Sequence, residues 1–547
     1  MEPSPDRLNL EHLKKQAKDL VRRYRQRDGD AIAQFRAHLP AAQELSDEEI
    51  ARLDLRLHDA QSCIARARGF ASWQDLHHYI DAQMAARSAG AERALHWLEL
   101  IYAGDISGTV NRANPRVAIR MLVEQPDLAV GSPYLACAVG EETVLKQATA
   151  DDAGWIHRPG GPLRLPPLVA VTHSSLLLIP EFRGRQHRCA RFLLEAGADP
   201  NQFVASRWAP GSLREPDESN PLSALYGAAG RNHDRELTQI LLNAGADPND
   251  NESLYHSLET FVCTSLLLKH GARVAGGNVI YHALDFENAE ALELLLKHGG
   301  DPNEPARNAP LDEWGSPLLW AIRRRRSRRC IELLLDAGAD PRVVTPNGIS
   351  AYRLALQVGL DDVAELLRSR TLPEAVSIEE SFIAACARGD EAEARRIQAA
   401  RPELPGALAE HHLRLLPELA AEGAGAAVRL MVELGWPIAT RGGDWSASAL
   451  NLAVFRGDAG LTRFLLEHGA SWTEQHGFGD NASGSLSWAS CNEPVEGGDW
   501  VGCARALLDH GMPQAEPDRD GSDWVLIGGR RKLFSDAVSE VLLGHAD

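Results

Sequence analysis

Several things are scarce in this chain. Of 547 residues only 6% are aromatic, and Lys+Arg number 57 against 76 Asp+Glu, a formal net charge of −19. Few aromatic and few β-branched residues beside abundant Leu and Ala favour helix over sheet. The acidic balance argues against general nucleic-acid binding, because neutralising phosphates takes a basic surface. No apolar run reaches the roughly 18 residues of a membrane helix; the nearest, 163–179, is broken by Arg164, two prolines, His173 and two serines. The first fifteen residues have no apolar core and do not read as a secretory signal. The eight cysteines form no C-x-x-C pair and no Cys/His set with zinc spacing. Reduced thiols and a cytoplasmic location are therefore expected.

Catalytic signatures are missing as well. There is no H-E-x-x-H, no P-loop, no G-x-S-x-G and no G-x-G-x-x-G at a strand-to-helix step. The pairs His77-His78 and His411-His412 have no carboxylate or thiol at ligand spacing and read as ordinary helix residues. An enzyme, a cofactor and a metal site are accordingly not expected. Hydrophobic residues at 44% and charged residues at 24% are ordinary for a folded chain. The length suits three or four globular domains or one elongated array.

A recurring phrase decides for the array. Phe192-Leu-Leu-Glu-Ala-Gly-Ala-Asp-Pro-Asn201 returns as Ile240-Leu-Leu-Asn-Ala-Gly-Ala-Asp-Pro-Asn249, as Leu294-Leu-Leu-Lys-His-Gly-Gly-Asp-Pro-Asn303 and as Leu333-Leu-Leu-Asp-Ala-Gly-Ala-Asp-Pro341. Shorter versions end at Gly271, Gly435, Gly469 and Gly511. The Leu triplet is the end of a helix with one side to cover, and glycine beyond the last turn takes a left-handed cap without a Cβ clash. Asp-Pro-Asn then turns the chain away. A second helix starts at Ser/Pro-Leu steps such as Ser132-Pro133, Pro167-Leu168, Pro221-Leu222 and Ser316-Pro317, where Ser caps and Pro fills the first helical position. Cys189, Cys263, Cys330 and Cys503 each stand eight residues before their capping glycine, a slot filled elsewhere by Leu or Ala, so they are expected to be packed thiols.

These motifs resemble the ankyrin-repeat family, in its V-x-x-L-L-L-x-x-G-A-D-P-N outer helix more than in its inner helix, where Ser223 and Leu319 replace the motif histidine. The resemblance covers about 110 to 515 and implies an all-α solenoid of helix-turn-helix units, about ten to twelve degenerate repeats, whose work is protein recognition. Residues 1–85 lack the repeat. Leu55-Arg-Leu-His-Asp-Ala-Gln and Gly69-Phe-Ala-Ser-Trp73 resemble a small helical domain found ahead of such repeats in bacterial proteins. The expected organisation is a helical domain over 1–85, an array over 86–370 and 371–515, and a capping segment over 516–547. Within the first part, 9–27 reads as an amphipathic helix with Leu10, Leu13, Ala17, Leu20 and Tyr24 on one face, and Ser46 and Ser72 open capping boxes.

Two basic islands interrupt the acidity. One holds Lys14, Lys15, Lys18, Arg22, Arg23, Arg25 and Arg27; the other is Arg323, Arg324, Arg325, Arg326, Arg328 and Arg329. The bland reading makes both solvated faces, the second a rim loop paired with nearby acids; the alternative makes them binding sites for polyanions, RNA or an acidic protein segment. Long inter-repeat loops carry Trp208, Trp314, Trp436, Trp445 and Trp472. Their tips are expected to line a concave groove, about half of them covering core edge instead. Trp and Arg dominate interface hot spots, so Trp208, Trp314, Trp445, Trp472 and Arg323 to Arg326 are the candidate partner-binding residues. Gly442-Gly-Asp-Trp445 recurs as Gly497-Gly-Asp-Trp500, and both read as turns with an aromatic flap. The expected function is a non-catalytic scaffold binding another protein.

Overall fold

The computed structural model describes residues 10–544 except 54, 56, 86–90, 110–112, 210, 308–314, 373 and 518–523. Two compact units emerge: Met1–His282 with Lys297–Gly300, and Ala283–Leu296 with Asp301–Asp547.

The first unit begins with the basic amphipathic helix, Leu10–Arg25. Leu13, Ala17, Leu20 and Tyr24 are buried as the helical spacing requires, and the Tyr24 hydroxyl donates to the Ile50 carbonyl at 2.7 Å. Arg22 pairs with Asp19, and Arg23 reaches Asp28 at 2.7 Å. Ser46 and Glu49 form a full capping box. At Ser72 only half of one is present: its hydroxyl accepts from the Asp75 amide, while the Asp75 carboxylate takes Asn114 at 2.7 Å.

Beyond this segment helix pairs repeat in both units. In the second unit inner helix packs on inner helix, Leu415–Ala421 on Ala449–Arg456 on Ala482–Asn492. Outer packs on outer, Gly425–Glu433 on Ala459–Glu467 on Trp500–Asp509. All eight phrase-ending glycines have φ between 87° and 101°. A Cβ there would meet nothing within 4 Å, so backbone conformation alone selects glycine. The Asp-Pro-Asn asparagines do more than turn the chain. Asn201, Asn249 and Asn303 each accept from the backbone amide of the next turn, at Asp247, Arg273 and Asp340 respectively, over 2.8–2.9 Å. Each thereby ties one repeat to its successor within its own unit.

The four cysteines in the glycine-minus-eight slot, with Cys63, Cys137 and Cys386, are buried; Cys491 is exposed. The C-terminal helix Asp536–Leu542 covers the last outer helix with Val538, Val541 and Leu542.

Purely helical the chain is not. β1 (Phe203–Ser206) pairs antiparallel with β2 (Asp217–Ser223), β3 (Arg441–Gly442) with β4 (Ala447–Ser448), and β5 (Glu516–Pro517), β6 (Val525–Ile527) and β7 (Arg530–Lys532) form a third small sheet. Pro221-Leu222 thus lies in a strand. The helix after it starts at Ala224 with Ser223 as its cap, because the extended hairpin keeps Pro221 opposite Ala205.

Candidate partner-binding cleft

The second arginine island follows the helix Pro317–Arg323, capped by Ser316 and started by a proline. A left-handed Arg325 (φ 54°) turns the chain there, so the arginines fan apart instead of sharing one helix face. Arg323 and Arg324 pass beside the indole of Trp320, itself 1% exposed, with guanidinium centres 5.0 and 4.4 Å from the ring. Such cation–π contacts fix the direction of the guanidiniums. The Trp320 Nε1–H donates to Asp285 at 3.2 Å.

The island is no solvated rim loop. The Arg323 side chain is 8% exposed, and its Nη1 lies 2.7 Å from Asp444 Oδ1; Arg324 Nη2 lies 2.7 Å from Oδ2 of the same carboxylate. Arg326 reaches Glu422 at 3.1 Å and Glu287 at 3.7 Å. Arg324 also faces Glu422 and Asp285 at 3.5 and 3.3 Å, and Arg323 faces Glu418 at 3.9 Å. Arg325 donates to the Val358 carbonyl. Arg328 and Arg329 are the exposed members of the island, beside Glu332 and Glu293. The acids that neutralise the island stand up to 121 residues away, which is why local sequence placed it in solvent. Burial works to raise the Asp444 pKa, but Arg323 and Arg324 outweigh it and hold the carboxyl below its usual range. At Glu418 burial wins and pushes the carboxyl up against the pull of Arg323.

Asp444 sits at the tip of the β3–β4 hairpin, between left-handed Gly443 and Ser446 (φ 70° and 49°). The neighbouring Trp445 packs at 5.5 Å on Phe455, 5.0 Å on His476 and 6.3 Å on Phe478. Phe455 stacks in turn on Trp488 at 5.3 Å. This makes an aromatic row whose ends are open, Phe478 being 80% and Trp488 52% exposed. Beside it lies a cleft of about 1120 Å³, lined among others by Arg323, Arg441, Asp444, Trp445 and Phe478. A second cavity of about 240 Å³ is lined by Arg324, Glu422 and Phe455. Arg323, Glu418, Asp444 and Trp445 border both. His411 and His412 also line the large cleft; burial lowers both, His412 to about 4.

Of the loop tryptophans singled out in the sequence and lying among the described residues, Trp445 is the one that borders the cleft with Arg323. Trp472 is half-buried one loop further on, its carbonyl accepting from the Ala482 amide. Trp436 is 3% exposed and stacks on Phe382, so it covers core. Trp314 lies outside the described residues. Trp208, in the first unit, is 57% exposed and lies so close over Gly104 that a Cβ there would sit 2.9 Å from its ring. Sequence reading missed Asp444, Phe455, Phe478 and Trp488 as a set; the repeated Gly-Gly-Asp-Trp was the one trace, read there as a turn with an aromatic flap in preference to a ligand site.

Among the described residues no group of three or more His, Cys, Asp or Glu could hold a metal ion, and no helix is long and apolar enough to cross a membrane. No family model and no curated protein sequence matches the chain. Among solved structures it is similar to the crystal structure of the human ASB11 ankyrin repeat domain, with 20% identity and a TM-score of 0.32, over 45% of this chain and 100% of that one. At that score the repeat architecture rests on the helix pairs and glycine caps themselves.

Proposed function

We propose that the chain is a degenerate ankyrin-type scaffold that binds a protein partner in the second unit, at the cleft between the arginine cluster and the aromatic row. The carrying observation is the coincidence of about 1120 Å³ of open cleft with Trp445, Phe478 and the arginines. Aromatic and arginine side chains around one recess are what interface hot spots are made of. In this reading 1–85 is a separate helical domain, 516–547 a cap, and the protein is non-catalytic. Polyanion binding through 323–329 has less support, since Arg323, Arg324 and Arg326 are engaged with carboxylates.

The test compares proteins co-purifying with the wild-type chain and with a W445A/F478A variant, using W208A in the first unit as control. Loss of a partner from the cleft variant alone supports the reading. Identical partner sets from all three sink it.

A further inference from the structure

The two sides of the Arg323/Arg324–Asp444 contact are built differently. The guanidiniums are anchored: both lie along Trp320, which is buried and tied to Asp285, and Arg324 has Asp285 and Glu422 besides. Asp444 is carried by a hairpin with two residue pairs in its ladder. A non-glycine residue, Ser446, stands there in the left-handed region, a conformation that costs about 1 kcal/mol. The tip is otherwise held by Trp445 on its aromatic neighbours and by the Gly477 amide, which donates to the Trp445 carbonyl at 2.8 Å. Of the carboxylates in the cluster, Asp285, Glu418 and Glu422 belong to helices or their ends and Glu287 to the turn after one; Asp444 alone rides on the hairpin.

The contact is also a partition. Arg323 and Asp444 border both cavities, the smaller of which is also lined by Leu452 and Phe455, so lifting the tip would join them. It would uncover two guanidiniums that now grip both oxygens of a single carboxylate at 2.7 Å each. That two-point grip reads a carboxylate group and nothing of the backbone carrying it. With Asp444 gone, Arg323 and Arg324 lose their shortest partner. The groove then favours an acidic occupant.

We propose that Asp444 and Trp445 are an internal stand-in for the partner: the hairpin tip is an autoinhibitory strap, and the segment that displaces it is an acidic polypeptide pairing an Asp or Glu with an adjacent aromatic residue. This rests on the cleft reading above and names its occupant. A tethered competitor acts at millimolar effective concentration, so wild-type protein masks its own site.

The probe is a labelled Ac-Gly-Gly-Asp-Trp-Ser-Gly-NH2 peptide, titrated into the full chain by fluorescence anisotropy. Asp444→Asn is expected to bind it about tenfold tighter than wild type. Arg324→Gln added to Asp444→Asn abolishes that gain, and the same peptide with Asn for Asp does not bind. Asp444→Asn leaves two guanidiniums short of a partner and is checked for folding by circular dichroism. Should it not fold, hydrogen exchange on the wild type decides: saturating peptide accelerates exchange over 441–448 while 317–323 stays protected. The proposal fails if folded Asp444→Asn binds no tighter than wild type, if the Asn peptide binds equally, if exchange over 441–448 is unchanged, or if single-stranded RNA outcompetes the peptide. If cleft variants still lose a natural partner while the peptide fails, the strap is wrong and the cleft stands; if neither responds, the cleft reading falls too.

Discussion

His173 makes the first unit acid-sensitive, by an amount the structure allows to be worked out. The ring is 2% exposed; its Nε2–H donates to the Ser223 carbonyl at 2.9 Å, and the Tyr226 ring stands edge-on at 5.6 Å. Its Nδ1 is buried with no hydrogen-bond partner, which suits the neutral tautomer and would strand a proton there. Burial lowers the pKa from 6.5 to about 4, Asp105 pulling the other way and Arg231 reinforcing. Because the unfolded chain binds the proton more readily, stability is complete above about pH 6.5 and is lost as pH falls towards the folded value. Linkage gives a loss of about 2 kcal/mol at pH 5 and about 3 kcal/mol at pH 4 from this residue. Urea unfolding of wild type and His173→Phe at pH 7, 6, 5 and 4, followed by hydrogen exchange over 167–230, isolates the term by difference. The wild-type free energy should fall more steeply by those amounts, the phenylalanine variant carrying only the remaining groups. Parallel pH curves for the two proteins would refute the reasoning.

Four further outcomes are expected. Gly338→Ala forces an alanine to φ 101° in open space and should cost about 1–2 kcal/mol in urea titration; a neutral result would show that the cap relaxes. Leu465→Ala empties a fully buried site on the outer helix Ala459–Glu467 and should cost about 3–5 kcal/mol, with a loss below 1 kcal/mol counting against the packing described. A maleimide should label Cys491 rapidly in the native state and the other seven thiols slowly, since they are buried, with Cys189, Cys386 and Cys503 pushed by burial to about 12. Denaturation should show more than one step, since the chain divides into two compact units built largely from stacked repeats; one sharp transition coincident by every probe would contradict that.

How much was legible beforehand varies with distance along the chain. Glycine caps, the serine caps at Ser46, Ser132 and Ser316, the buried cysteines of the glycine-minus-eight slot and the amphipathic first helix are decided within one or two turns of helix and stood where the sequence placed them, whereas the helix start expected at Pro221 became a strand. The inter-repeat asparagine bonds reach 24–46 residues and left no local signature. The cleft is the extreme case. Gly-Gly-Asp-Trp occurs twice with opposite fates: Asp499 caps a helix by accepting from the Gly502 amide and Trp500 is 8% exposed, whereas Asp444 leaves capping to Ser448 and crosses to two arginines. Identical tetrapeptides offer identical local chemistry, so only their surroundings separate them.

The sequence by itself therefore determined the repeating helix pair, its caps, its packed face and the presence of an arginine block. Periodicity and backbone conformation are properties of neighbouring residues, and the chain cannot hide them. What the arginines do was decided only by tertiary structure. Whether six cations in seven residues face water or carboxylates depends on which distant turn the packing within the second unit brings opposite them. Here it brought Asp444, Glu418 and Glu422 to Arg323, Arg324 and Arg326 and left the ends of the aromatic row open beside them.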